Sequence, residues 1–151
     1  MVVATGLWQC RAVPRGFATV WHHELRSLAE LVHLRARLRT ELTGSPVVVH
    51  PEREHWSERM VLIVDELASN GLRHGGPPVG ATLGRCGDHW MIAITDSAAG
   101  QPPHPAQGRD PGRGGFGLYL VADLADHHGW SPTPSTKIVW AVMSTSREIS
   151  K

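Results

Sequence analysis

The most regular pattern of apolar and polar positions lies in the middle of the chain. Met60, Val64, Leu67, Ala68 and Gly71 recur at helical spacing behind the apolar run Val61 to Val64, which predicts a helix with these residues on a core-facing side. Glu66 and Asn70 are four positions apart, so they sit one turn from each other on the border of the polar face. Gly75-Gly76-Pro77-Pro78 then stops the helix, because glycine takes left-handed backbone at a C-cap and proline cannot continue the hydrogen-bond ladder.

The flanking segments read in the same way. Phe17 to His23 has strand composition, and Ser27 with Glu30 forms a capping box ahead of Leu28, Leu31, Leu34 and Leu38, predicting a helix over 27–43. Gly44-Ser45-Pro46 ends it, Val47 to His50 is a brief connection, and Pro51 with Glu52 suits the first turn of the central helix. Val79 to Arg85 and His89 to Thr95 are strand-like runs around the tight turn Cys86-Gly87-Asp88, an antiparallel hairpin. Ser97 to Gly114 holds four Pro and four Gly with almost nothing to bury, as a functional loop or lid does. Gly115 to His127 reads as a helix burying Leu118, Val121, Ala122 and Ala125, and Lys137 to Met143 as a last strand.

One domain over residues 17–143 follows, with a partly ordered lead-in at 1–16 and a polar tail at 144–151. The order strand, helix, helix, hairpin, helix, strand predicts a two-layer α/β sandwich, its mixed or antiparallel sheet carrying helices on one face. The strand–helix–parallel strand alternation of a doubly wound fold is missing.

Composition narrows the function classes. A formal net charge of +1, with both signs interspersed, gives no footprint for nucleic acid or a membrane surface. Cys10 and Cys86 lack metal-like spacing and read as free thiols of a reducing compartment. No signal peptide or membrane-spanning segment is recognisable, so a cytoplasmic location is expected. The ten His take no zinc spacing, and the six Trp read as packing residues because no basic stripe accompanies them.

Three features assemble into a candidate site: the Glu66/Asn70 helix, Asp96 at a strand end with Gly100 shortly after, and Gly112-Arg113-Gly114-Gly115-Phe116-Gly117 leading into a helix. A glycine-rich turn at a helix N-terminus offers unpaired N–H groups and the positive end of the dipole, which favour phosphate. Each residue also has an ordinary structural reading. Glu66 is then a solvated helix carboxylate, Asp96 an Asx-turn at a strand end, Arg113 a surface cation and His74 a packing residue. Asn70 is less ordinary, since Asn is a poor helix former that prefers caps.

Glu66-Leu67-Ala68-Ser69-Asn70 with His74-Gly75, Asp96-Ser97-Ala98-Ala99-Gly100 and Gly112 to Gly117 followed by Leu118 resemble, in that order, the N box and the two glycine boxes of the GHKL ATP-binding domains. That superfamily joins histidine kinases, gyrase-type ATPases and bacterial anti-sigma factor serine kinases. The resemblance runs from about residue 17 to 143, and the Asp65-Glu66-Leu67 opening and closing Val139-Trp140 are most similar to the anti-sigma factor kinase type. It implies the Bergerat-type fold, ATP with Mg²⁺, and a bacterial cytoplasmic regulator that phosphorylates a Ser or Thr of a partner protein, an anti-sigma antagonist, or sequesters a sigma factor.

By the same resemblance Asn70 would ligate Mg²⁺ and Glu66 would act as general base. Asp96 would accept from the adenine amine, and Gly100 would let the chain approach the base. Gly115 and Gly117 would bring amides onto the phosphates, Arg113 would reach the γ-phosphate or a partner, and His74 would lie near the nucleotide. A homodimer through the sheet edge is compatible with it, and direct nucleic-acid or membrane binding is not expected. Two departures stand out. Ser97-Ala98-Ala99 replaces an earlier glycine, and Ser135-Thr136-Lys137-Ile138 stands where the family often has Gly followed by Lys or Thr, so no hydroxyl contact to the adenine site is carried over from that strand. The rival readings are a non-catalytic ATP-binding interaction module and the catalytic half of a split histidine kinase, which would need a phospho-accepting helix pair on another chain.

Overall fold

The computed structural model describes residues 8–43, 51–103 and 116–145. Five strands form one sheet: β1 (Ala18–Leu25), β2 (Val79–Cys86), β3 (His89–Asp96), β4 (His127–Pro132) and β5 (Lys137–Ser144), in spatial order β1-β2-β3-β5-β4. Every neighbouring pair is antiparallel. Among the described residues, α1 (Leu31–Thr43), α2 (Pro51–Asn70) and α3 (Phe116–Leu124) are the α-helices. The two-layer α/β expectation holds, with the sheet antiparallel throughout.

Strand periodicity decides what faces the helices. Trp90, Ile92 and Ile94 of β3 and Val139, Ala141 and Met143 of β5 are buried in one cluster with Leu34 and Leu38 of α1, Met60, Val64 and Leu67 of α2, and Leu118 and Val121 of α3. One further step of two on each strand places Asp96 and Lys137 on that same face, and the register pairs Asp96 directly with Lys137. The core therefore ends on a carboxylate and an ammonium side by side.

Met91, Trp140 and Val142 point to the other face, where Val13, Phe17 and Ala93 pack on them. Residues 8–17 run along this side and its edge. Cys10 bridges in parallel to Trp130 of β4, the Arg11 amide donates to the Trp130 carbonyl at 2.9 Å, and Trp140 Nε1 donates to the Arg11 carbonyl at 3.2 Å. Trp8 is buried, stacks edge-on against His128 at 4.6 Å, and donates from Nε1 to the Leu118 carbonyl at 3.2 Å. The segment read as a lead-in thus reaches α3.

Three sequence expectations need correction. The helix expected over 115–127 ends at Leu124, and His127–Pro132 is strand β4, which brings the strands to five. His127-His128-Gly129-Trp130-Ser131-Pro132 has no β-branched alternation because it borders the sheet, taking its ladder from β5 and only the short Cys10 bridge on its other side. The expected capping box does not form. Glu30 Oε1 accepts from the Arg26 amide at 2.7 Å, whereas the Ser27 side chain caps nothing and Leu28–Glu30 forms a 3-10 turn before α1. Finally, the central helix passes through a π-helical turn, Gly71–Gly75, before Gly76 stops it at φ +84°. Residues 104–115, which hold the rest of the expected loop and Gly112 to Gly115 of the second glycine box, lie outside the described residues.

Candidate functional site

The site is built where α2 ends above the ends of β3 and β5. Met60, Val64, Leu67, Ala68 and Gly71 are all buried, as their spacing requires, and this rotation leaves Glu66 and Asn70 half-buried on the border. The π-turn widens the helix by one residue per turn just after Asn70, a distortion frequent at functional positions. It lays Gly75 on Asp96: a Cβ at Gly75 would collide with the Asp96 carboxyl group, and one at Gly71 would come within 3.9 Å of Asp96 Oδ2. The Ser97 amide donates to the Gly76 carbonyl at 3.1 Å, joining the two segments again beside the contact.

Asp96 combines its two sequence readings. Its Oδ1 accepts from the Ala98 amide at 2.9 Å, an Asx-type turn, yet the residue is only 2% exposed. A turn-forming carboxylate ordinarily sits in water. Its buried partner is Lys137, whose Nζ lies 3.7 Å from Oδ2 and donates to the Gln101 carbonyl at 2.9 Å. Burial pulls the Lys137 pKa down from its ordinary value, and the neighbouring Asp96 charge opposes that pull.

Glu66 is placed by α3. Its carboxylate rests on Gly117, where a Cβ would overlap it, so the second residue of α3 and the carboxylate share a space that only glycine leaves open. Burial, then the Asp65 charge one residue earlier, raises the Glu66 pKa, while Arg73 works in the other direction. Asp65 is itself paired with Arg35 of α1, and Arg73 Nε donates to Ser69 Oγ at 3.1 Å.

The sequence-derived residues therefore fall into groups. Glu66 and Gly117 are in contact, Asn70 lies one turn from Glu66, and Asp96 lies below the π-turn that follows Asn70. His74 is exposed on that turn. Gly100 is exposed, and a Cβ there would meet no atom of the described residues. Arg113 and Gly115 lie outside the described residues. Sequence reasoning missed Lys137. The signal was a lysine heading the otherwise apolar run Ile138 to Met143, at a position whose two-residue period faces the core.

A family model for the histidine kinase-like ATPase domain matches residues 22–143. The chain belongs to this family of ATP-binding domains, and its antiparallel sheet with packed helices is the family's fold. A search of curated proteins returns no match.

The residues present suit a Mg²⁺-nucleotide. At Gly75 and Gly117 any side chain would collide with a carboxylate, that of Asp96 and that of Glu66 respectively, so both glycines keep those carboxylates where they are. Among the described residues no three His, Cys, Asp or Glu converge as a metal cage. Asn70, one turn from Glu66, is the side chain that would hold such a cation, whose other ligands would come from phosphates and water. No helix among the described residues is long and apolar enough to cross a membrane.

Proposed function

We propose that the chain is an ATP-binding regulator of the anti-sigma factor kinase type, a serine/threonine protein kinase acting on a partner protein of the anti-sigma antagonist class. The observation that carries this reading is the state of Glu66: half-buried, lifted in pKa, and held against the first turn of α3, one turn from Asn70. A carboxylate whose pKa rises toward the working pH is a better proton acceptor than an ordinary surface glutamate.

ATP, when bound, would supply the phosphoryl group to be transferred. Asn70 would hold Mg²⁺ through its side-chain oxygen. Asp96 would accept from the adenine exocyclic amine and disfavour guanine, which presents a carbonyl there. Glu66 would take the proton from the partner's hydroxyl, and the N-terminal end of α3 would favour the phosphates. Direct sequestration of a sigma factor by the same chain is compatible with these roles.

Incubation with labelled Mg-ATP and candidate antagonist proteins tests the reading. Label should appear on a partner Ser or Thr and be lost in Glu66→Ala. Transfer that survives Glu66→Ala would overturn the assignment of the base. ATP-dependent capture of a partner without labelling would replace the kinase by a nucleotide-operated interaction module.

A further inference from the structure

β3 and β5 end, side by side and on the core face, in Asp96 and Lys137, 2% and 4% exposed. Packing alone does not ask for a lysine here. The core positions that follow on β5 are Val139, Ala141 and Met143, and an ammonium so deeply placed loses most of its hydration. It recovers two partners, Asp96 Oδ2 at 3.7 Å and the Gln101 carbonyl at 2.9 Å. Asp96 Oδ1 is meanwhile taken by the Ala98 amide, and Gly75 closes over the carboxyl group from the helix side.

Both carboxylate oxygens are thereby engaged, and the carboxylate is prevented from turning about its side-chain bonds. The same ammonium ties Gln101, five residues further along, to the start of β5. Resting on the reading of Asp96 as the adenine-binding carboxylate, we propose that Lys137 is a positioning residue for nucleobase recognition. It fixes the orientation of Asp96 and of the 96–101 turn, so that one face of the carboxylate is kept aimed at the amine of adenine.

A positioning role makes a demand that a structural role does not. Loss of Lys137 must cost affinity only for ligands that use the amine. The test compares Mg-ATP with purine riboside triphosphate, which lacks the 6-amino group, by calorimetric titration of wild type, Lys137→Met and Lys137→Arg. Wild type should prefer ATP by about tenfold or more, the usual value of a hydrogen bond to a charged group. Lys137→Met should bring that ratio close to one through weaker ATP binding, with the purine analogue bound as before. Lys137→Arg, which keeps charge and donors, should retain most of the preference.

Removing the ammonium leaves Asp96 as a buried charge, so a thermal melt first establishes that Lys137→Met is folded. Where it is not, Lys137→Gln replaces it, with a fall in the ratio of at least about threefold expected. A parallel loss for both nucleotides with the ratio unchanged, or a Lys137→Met ratio equal to wild type, would overturn the inference. Wild type binding neither nucleotide would overturn the ATP reading beneath it. Wild type binding both equally would show that Asp96 does not read the amine.

Discussion

The carboxylate of Glu66 rests on the Cα of Gly117, in the space that any larger residue at 117 would occupy. The contact joins the proposed base on α2 to the helix that follows the glycine-rich segment. Alanine at 117 can be accommodated only by moving Glu66, and a flexible side chain ending in a carboxylate can move. Alanine is also the better helix former by about 1 kcal/mol. Gly117→Ala is therefore expected to melt no lower than wild type while losing about tenfold or more of phosphoryl transfer. Thermal melts beside the transfer assay check this, and a variant with full activity would show that the Glu66 position is not set by the contact.

The raised pKa of Glu66 makes a second expectation, with a definite sign. The folded chain holds the Glu66 proton above the ordinary carboxylate value of 4.5, so between that value and its raised pKa the fold binds more protons than the unfolded chain. The contribution of Glu66 to stability is thus fully present at low pH and is lost as pH rises through the raised value. Glu66→Gln removes the charged state, so it should stabilise the fold at neutral pH and do so less toward pH 4. The gain is small, roughly 1 kcal/mol or less, because the half-exposed carboxylate is screened by water. Urea titrations of both proteins from about pH 4 to 8 measure it; a Glu66→Gln variant less stable at neutral pH would contradict the sign.

Trp8 provides a third. Its indole is buried, and its N–H donates to the Leu118 carbonyl inside α3. Trp8→Phe should cost roughly 1 kcal/mol for the lost hydrogen bond, and Trp8→Ala about 3–5 kcal/mol for the cavity. Urea denaturation followed by circular dichroism reads both. A Trp8→Ala variant as stable as wild type would show that residues 8–17 do not hold α3 to the sheet.

Much of this architecture was legible where periodicity is strong. The spacing of Met60, Val64, Leu67, Ala68 and Gly71 gave the buried face of α2, and Glu66 and Asn70 fell on its border as expected. The hairpin of β2 and β3 was legible from two runs around a glycine turn, and Gly87 does take φ +59°. β4 was not, because an edge strand of His, Gly and Pro is specified by the partner it lies against rather than by its own pattern. Nor was the Asp96–Lys137 pair, which depends on the register of strands separated by 41 positions in the sequence. Local reading assigned Asp96 to a turn and Lys137 to a strand start. Only pairing shows that they close one end of the core together.

The most direct test of the nucleotide site is ATP affinity measured with and without Mg²⁺ by calorimetric titration of wild type, Asn70→Ala and Asp96→Asn. Wild type should bind ATP, and more tightly with Mg²⁺. Asn70→Ala should keep the metal-free affinity and lose most of the Mg²⁺ gain, whereas Asp96→Asn should weaken binding by about tenfold or more in both conditions. Wild-type protein that binds no ATP, or two variants indistinguishable from it, would contradict a shared nucleotide site for Asn70 and Asp96.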